Sequence, residues 1–162
     1  MNFGDMKMSD EQYNTAVMVM WLYGGLLREI MKEYGWEKAI KMHGNVGFPI
    51  GVSMAEEIKK AAGGKKLNIK LLEKANSEME SAFGATFNVT TKANSVKYEL
   101  SRCPIYDGLK ASGFSHDQIN KMCTAIASNE YEGVKSVLPN VIWSAKPRTK
   151  PDGICVEEWL IR

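Results

Sequence analysis

Histidine is scarce in this chain: its 162 residues include two, His43 and His116. Neither belongs to a His-Glu-x-x-His pair, which excludes the familiar helical zinc-hydrolase motif. Ser115, His116 and Asp117 are consecutive and cannot form a catalytic triad with one another. They read instead as a helix N-cap and first turn. Cysteine is almost as rare, and Cys103, Cys123 and Cys155 form an odd, widely spaced set that makes a poor disulfide framework. Neither sign of charge dominates. With 21 Lys and Arg against 19 Asp and Glu the net charge is +2, which gives no electrostatic case for a nucleic-acid partner. Long apolar runs are missing as well: the strongest, Ala16–Leu27, is twelve residues long and contains Gly24 and Gly25, where a spanning helix needs about 20. Met1–Gln12 has no basic stretch leading into an apolar core, so no signal peptide is expected. The expectation is a cytoplasmic chain with reduced thiols and no membrane partner. No P-loop, dinucleotide fingerprint, nucleophile elbow or kinase signature is present.

What is there reads as globular. Hydrophobic residues make up 44% and charged residues 25%, and the length fits one domain of about 100–200 residues. Ser9–Gln12 is a capping-box pattern. After it, Tyr13, Val17, Met20, Gly24, Leu27, Met31 and Tyr34 recur at helical spacing. Met18, Val19, Leu22, Tyr23 and Leu26 fill the opposite side. A helix apolar all round is either central or a subunit contact, so a homodimer through the Tyr13–Tyr34 helix is expected. Trp36–His43 reads as a second helix, Gly44–Gly51 as a connecting break, and Val52–Ala62 and Asn68–Phe83 as further helices. Six lysines between Lys59 and Lys74 read as a solvated face.

From Ala85 the period changes to two. Phe87, Val89 and Thr91 share one strand face, and Val96, Tyr98 and Leu100 share the next, with Lys92–Ser95 as the turn. Pro104–Ser112 reads as a short helix. Ser115–Gln118 is a second capping box that opens a long helix to about Leu138, and Val141–Ala145 and Ile154–Ile161 read as a final hairpin. The whole is an α+β fold: a helical part, 1–84, packed on a four-stranded antiparallel sheet of two β-hairpins separated by two helices, within 85–162. A single domain, 1–162, is expected.

The cysteines carry the chemical signal. Cys103 precedes Pro104, and proline favours the first helical position, which makes Cys103 an N-cap. Backbone N–H groups, the helix dipole and the adjacent Arg102 would lower the pKa of a thiol there. On the long helix, Ile119, Met122, Cys123, Ile126, Ala127, Val134 and Val137 form an apolar stripe with Glu130 near its centre, two turns beyond Cys123. A carboxylate in such a stripe is costly unless paired, and its raised pKa suits acid–base work. Cys155 lies in the last strand.

Arg102-Cys103-Pro104-Ile105-Tyr106, the helical Met122-Cys123, Arg148-Thr149-Lys150 and Asp152-Gly153-Ile154-Cys155 together resemble the L-2-amino-thiazoline-4-carboxylic acid hydrolase family, over residues 85–162. More distantly, the order of hairpins and helices resembles 4-vinyl reductase domains and their transport-particle relatives. The first resemblance implies hydrolytic opening of a small cyclic amidine. Cys103 would be the nucleophile and Glu130 the general base, with Cys123, Cys155 and Arg148 lining the substrate pocket. The second implies a ligand- or metal-binding module, with Cys103, Cys123, Cys155 and Glu130 as four ligands to zinc or iron. The cysteine spacings of 20 and 32 residues contain no Cys-x-x-Cys to strengthen that set. A helical dimer without chemistry of its own is the third reading.

Overall fold

The computed structural model describes residues 10–162; Ser9, the first member of the N-terminal capping box, lies outside them. Four helices come first: α1 (Asp10–Tyr34), α2 (Trp36–Asn45), α3 (Gly47–Ala62) and α4 (Ile69–Phe83). A hairpin follows, β1 (Thr86–Thr91) and β2 (Ser95–Arg102), then α5 (Pro104–Ala111) and α6 (His116–Val137), and a last hairpin, β3 (Val141–Lys146) and β4 (Cys155–Ile161). The fold is α+β, with all four strands antiparallel in the order β1-β2-β4-β3.

Local signals explain most boundaries. Asn68 caps α4 by accepting from the Leu71 N–H, and Ser115 and Gln118 form a reciprocal capping box on α6. Gly84, left-handed at φ 92°, ends α4. The six lysines between Lys59 and Lys74 are all exposed.

The segment Gly44–Gly51 is not a connecting loop. Helix continues through it apart from a turn at Val46. Its glycines serve packing: a Cβ added at Gly47 would collide with the Ile126 carbonyl, one at Gly51 with the Glu130 carbonyl, and one at Gly133 with the Phe48 carbonyl. Helices α3 and α6 therefore touch backbone to backbone. In the same way Gly108 of α5 lies directly against Val17 and Met20 of α1.

The interior has two apolar clusters. One joins Ala55, Ile58, Leu72 and Val134 to the inner sheet face of Val96, Tyr98, Val141, Trp143 and Trp159. The other joins Leu27, Tyr106, Leu109, Phe114, Ile119 and Met122 between α1, α5 and the first half of α6. Helix α6 belongs to both. Helix α1 is not buried all round: Tyr13, Gly24 and Leu27 are buried, while Met18, Val19, Trp21, Leu22 and Leu26 are 48–59% exposed. Among the described residues no helix is long and apolar enough to cross a membrane.

Candidate functional site

The seam between the two clusters is where the polar interior collects. Period two along β4 puts Cys155, Glu157 and Trp159 on the same sheet face. Register then sets Cys155 opposite Leu100, Glu157 between Tyr98 and Ala145, and Trp159 between Val96 and Trp143. Cys123 and Glu130 lie two turns apart on α6, and Cys103 directly follows β2 as the N-cap of α5, with Pro104 in the first turn. All three cysteines are free and half-buried. They are close enough to influence one another electrostatically, and Cys123 also feels Glu130.

The expected activation of Cys103 is reversed. Burial pushes its thiol up to about 12, and the N–H groups of Tyr106 and Ile105, which favour the thiolate, do not offset it. Arg102 does not serve it either, because its guanidinium stacks 3.4 Å from the centre of the Tyr13 ring. Cys123 is also pushed up to about 12, by burial and then by Cys103, Cys155 and Glu130, against an opposing effect of Arg148. Cys103 and Cys123 are thus thiols at neutral pH.

Glu130 has company that the sequence reading missed. Glu80 from α4 and Glu157 from β4 share its neighbourhood. Burial first, and Glu157 second, raise Glu130 to about 7. Glu80 is raised by burial and by the charges of Glu157 and Glu130. Glu157 is raised by burial, moderated by a hydrogen bond from Trp143 Nε1 to its Oε2 at 3.4 Å. The signal for Glu157 was legible: it alternates with Cys155 and Trp159. Glu80 carried a weaker one, one turn beyond the buried Asn76.

Arg148, from the loop between β3 and β4, is 5% exposed. Its guanidinium lies 4.1 Å over the Tyr106 ring, and Nη1 donates to the Pro151 carbonyl at 3.3 Å. Burial opposes its charge, while the Cys155 side chain, by hydrogen bonding and by charge, and then Cys103 and Asp107 favour it, with a net upward shift. Asn120 of α6 donates through Nδ2 to the Arg148 carbonyl at 2.9 Å and contacts His116 Nε2 at 3.1 Å. His116 Nδ1 in turn hydrogen-bonds the Tyr106 hydroxyl at 2.9 Å. His116 is therefore more than a first-turn residue: it steadies the aromatic ring under Arg148.

Cys103, Cys123, Cys155, Arg148 and Glu130 are thus brought to one region. The four-ligand metal arrangement is not formed. Among the described residues no group of three or more His, Cys, Asp or Glu side chains is placed to hold a metal ion. Chemically, the region offers carboxyls able to give or take a proton near neutrality, the protonated thiols of Cys103 and Cys123, and a buried cation.

No known protein family matches the chain by sequence, and no curated protein sequence matches it either. Solved structures do match in fold. The phenol-responsive sensory domain of the transcription activator PoxR, crystallised with phenol, superposes with a TM-score of 0.54 at 14% identity, over 88% of this chain and 74% of that one. Subunit 3 of a trafficking protein particle complex from Naegleria fowleri, covalently bound to palmitic acid, gives 0.51 at 15% identity, over 91% of this chain and 95% of that one. At such identities the likeness defines the class of fold and nothing finer.

Proposed function

We infer that the protein is a small-ligand-binding module whose site is the polar seam of Cys103, Cys123, Cys155, Arg148 and the three glutamates. The observation that carries this reading is a buried polar cluster, drawn from α4, α6, β4, the N-cap of α5 and the β3–β4 loop, in which two guanidinium nitrogens of Arg148 remain unpaired. A core built only for stability would fill this space with apolar groups, because unpaired buried polar atoms destabilise. The phenol-responsive fold neighbour supports a small-molecule ligand. The test is the rate at which iodoacetamide modifies the three thiols, with and without millimolar phenol, benzamide or benzoate. Occupancy slows all three together. Rates unchanged by every member of the panel would remove this reading.

A second reading follows from Glu130, whose carboxyl at about 7 suits a general base. In it the protein is a hydrolase of small cyclic amidines, and Glu130 activates water directly, in place of attack by Cys103. Glu130→Gln should then lower 2-aminothiazoline ring opening by about 10²–10⁴-fold with the fold intact. An equal rate in the variant would sink it.

The second partner is another copy of the chain. Met18, Leu22 and Leu26 follow one another at helical spacing on α1, exposed around Gly25, which has open space beside it. Leu22→Glu should convert a dimer of twice 18.1 kDa into a monomer, as read by light scattering; a wild-type mass of one chain would refute the contact.

A further inference from the structure

Within the loop at 147–154, Arg148 is the residue that turns inward while Thr149, Lys150, Pro151 and Asp152 remain exposed. Its guanidinium is only partly used. The planar face rests on Tyr106 and Nη1 is bound to the Pro151 carbonyl. Nε and Nη2 are buried from solvent and have no hydrogen-bond partner. These two atoms are not an arbitrary pair: they form the side-on edge of the guanidinium, whose two parallel N–H bonds match the two oxygens of a carboxylate.

Among the described residues no oxygen acceptor completes that edge. The Cys155 side chain reaches the guanidinium as a weak, soft acceptor and favours its charge, but Nε and Nη2 have no partner at hydrogen-bond geometry. Cys103 and Cys123 contribute only their proximity. Asp107 accepts the Tyr13 hydroxyl on the α1 side. A buried cation with an unpaired edge is costly, and native chains keep such atoms where something else pairs them.

We propose that Arg148 is the receptor for the carboxylate of a small organic ligand, gripped by Nε and Nη2 while the thiols of Cys103, Cys123 and Cys155 bound its carbon frame. This rests on the ligand-binding reading above and names the anionic end of the ligand. A carboxylate fits better than a phosphate. It is planar and carries one charge, which matches the two parallel N–H bonds and the single charge of the guanidinium.

The test uses the whole chain and the Arg148 Nε–Hε signal in nitrogen–proton NMR, assigned by its disappearance in Arg148→Lys. Millimolar benzoate or butyrate should shift that signal and slow its exchange with water, whereas benzamide, the neutral isostere, should leave it in place. Arg148→Lys keeps the charge without the two-pronged edge, and it should weaken benzoate binding at least tenfold. An Arg148 signal unmoved by both carboxylates overturns the proposal, as does equal affinity in the lysine variant. Should the lysine variant fail to fold, Arg148→Gln provides the assignment and the wild-type titration alone decides. If phenol or benzamide still protects the thiols while the Arg148 signal ignores carboxylates, the ligand-binding reading stands and the carboxylate falls. If nothing protects the thiols and the signal never moves, both fall.

Discussion

Along the inner face of one sheet, Trp159 lies between Val96 and Trp143, whereas two residues earlier Glu157 lies between Tyr98 and Ala145. Val96, Trp143 and Trp159 belong to the apolar cluster that includes Ile58, Leu72 and Val134 from α3, α4 and α6, all fully buried. At the glutamate end the neighbours are two more carboxyls, and past Cys155 the thiols and Arg148. The same strands, with the same register, thus carry a segment that holds the fold together and a segment that strains it. The first is worth its apolar area. The second persists against desolvation, and this contrast is what makes it a candidate site.

Truncation at the apolar end should have the largest effect. Trp159→Ala is expected to cost about 3–5 kcal/mol, measured by urea unfolding; a loss below about 1 kcal/mol would mean that the cluster can collapse around the gap. Substitution at the polar end should act in the opposite direction. A carboxyl held protonated in the fold binds a proton that the unfolded chain has already released. Its contribution is therefore complete below the ordinary carboxyl range and is lost as pH rises through about 7, the value for Glu130. The wild-type midpoint should fall between pH 5 and pH 8. Glu157→Gln should raise stability at pH 8 by about 1–3 kcal/mol and flatten that slope; an unchanged slope would remove Glu157 from the cluster. The smallest effect belongs to the thiols. Cys103→Ala should change stability by no more than about 1 kcal/mol, and Cys103 in the intact chain should alkylate at pH 7 at least about 100-fold more slowly than a free cysteine, because so little thiolate forms. Fast modification would restore it as a nucleophile.

The contrast between the two ends also sorts what sequence alone could reveal. Alternation made both hairpins legible, the Ser115 capping box placed the start of α6, and Cys103-Pro104 marked the start of α5. Glu130 stood out because one carboxylate in an apolar stripe is a local anomaly. Alternation with Cys155 and Trp159 puts Glu157 on the inner face, but its meeting with Glu130 depends on the pairing of β4 with β2, a contact between hairpins that no local period encodes, and Glu80 joins them only through helix packing. Arg148 sat in a polar loop where an arginine is ordinarily exposed; burial under Tyr106 depends on α5 being beside it. The direction of the Cys103 shift was misjudged for a related reason. The helix N-terminus is visible in sequence, whereas the surrounding low-dielectric packing that outweighs it is not. Gly44–Gly51 shows the same ambiguity, since glycine breaks a helix in isolation and permits close contact once a second helix is present.

That close contact has a mechanical consequence. Gly47 and Gly51 on α3 and Gly133 on α6 leave no side chain between the two backbones to change rotamer, so the pair has no hinge of its own and behaves as one beam. Glu130 contributes its carbonyl to the contact and its carboxyl to the interior. A shift of the α6 backbone at Glu130 is therefore met directly by the α3 backbone at Gly51, with no side chain between them to absorb it.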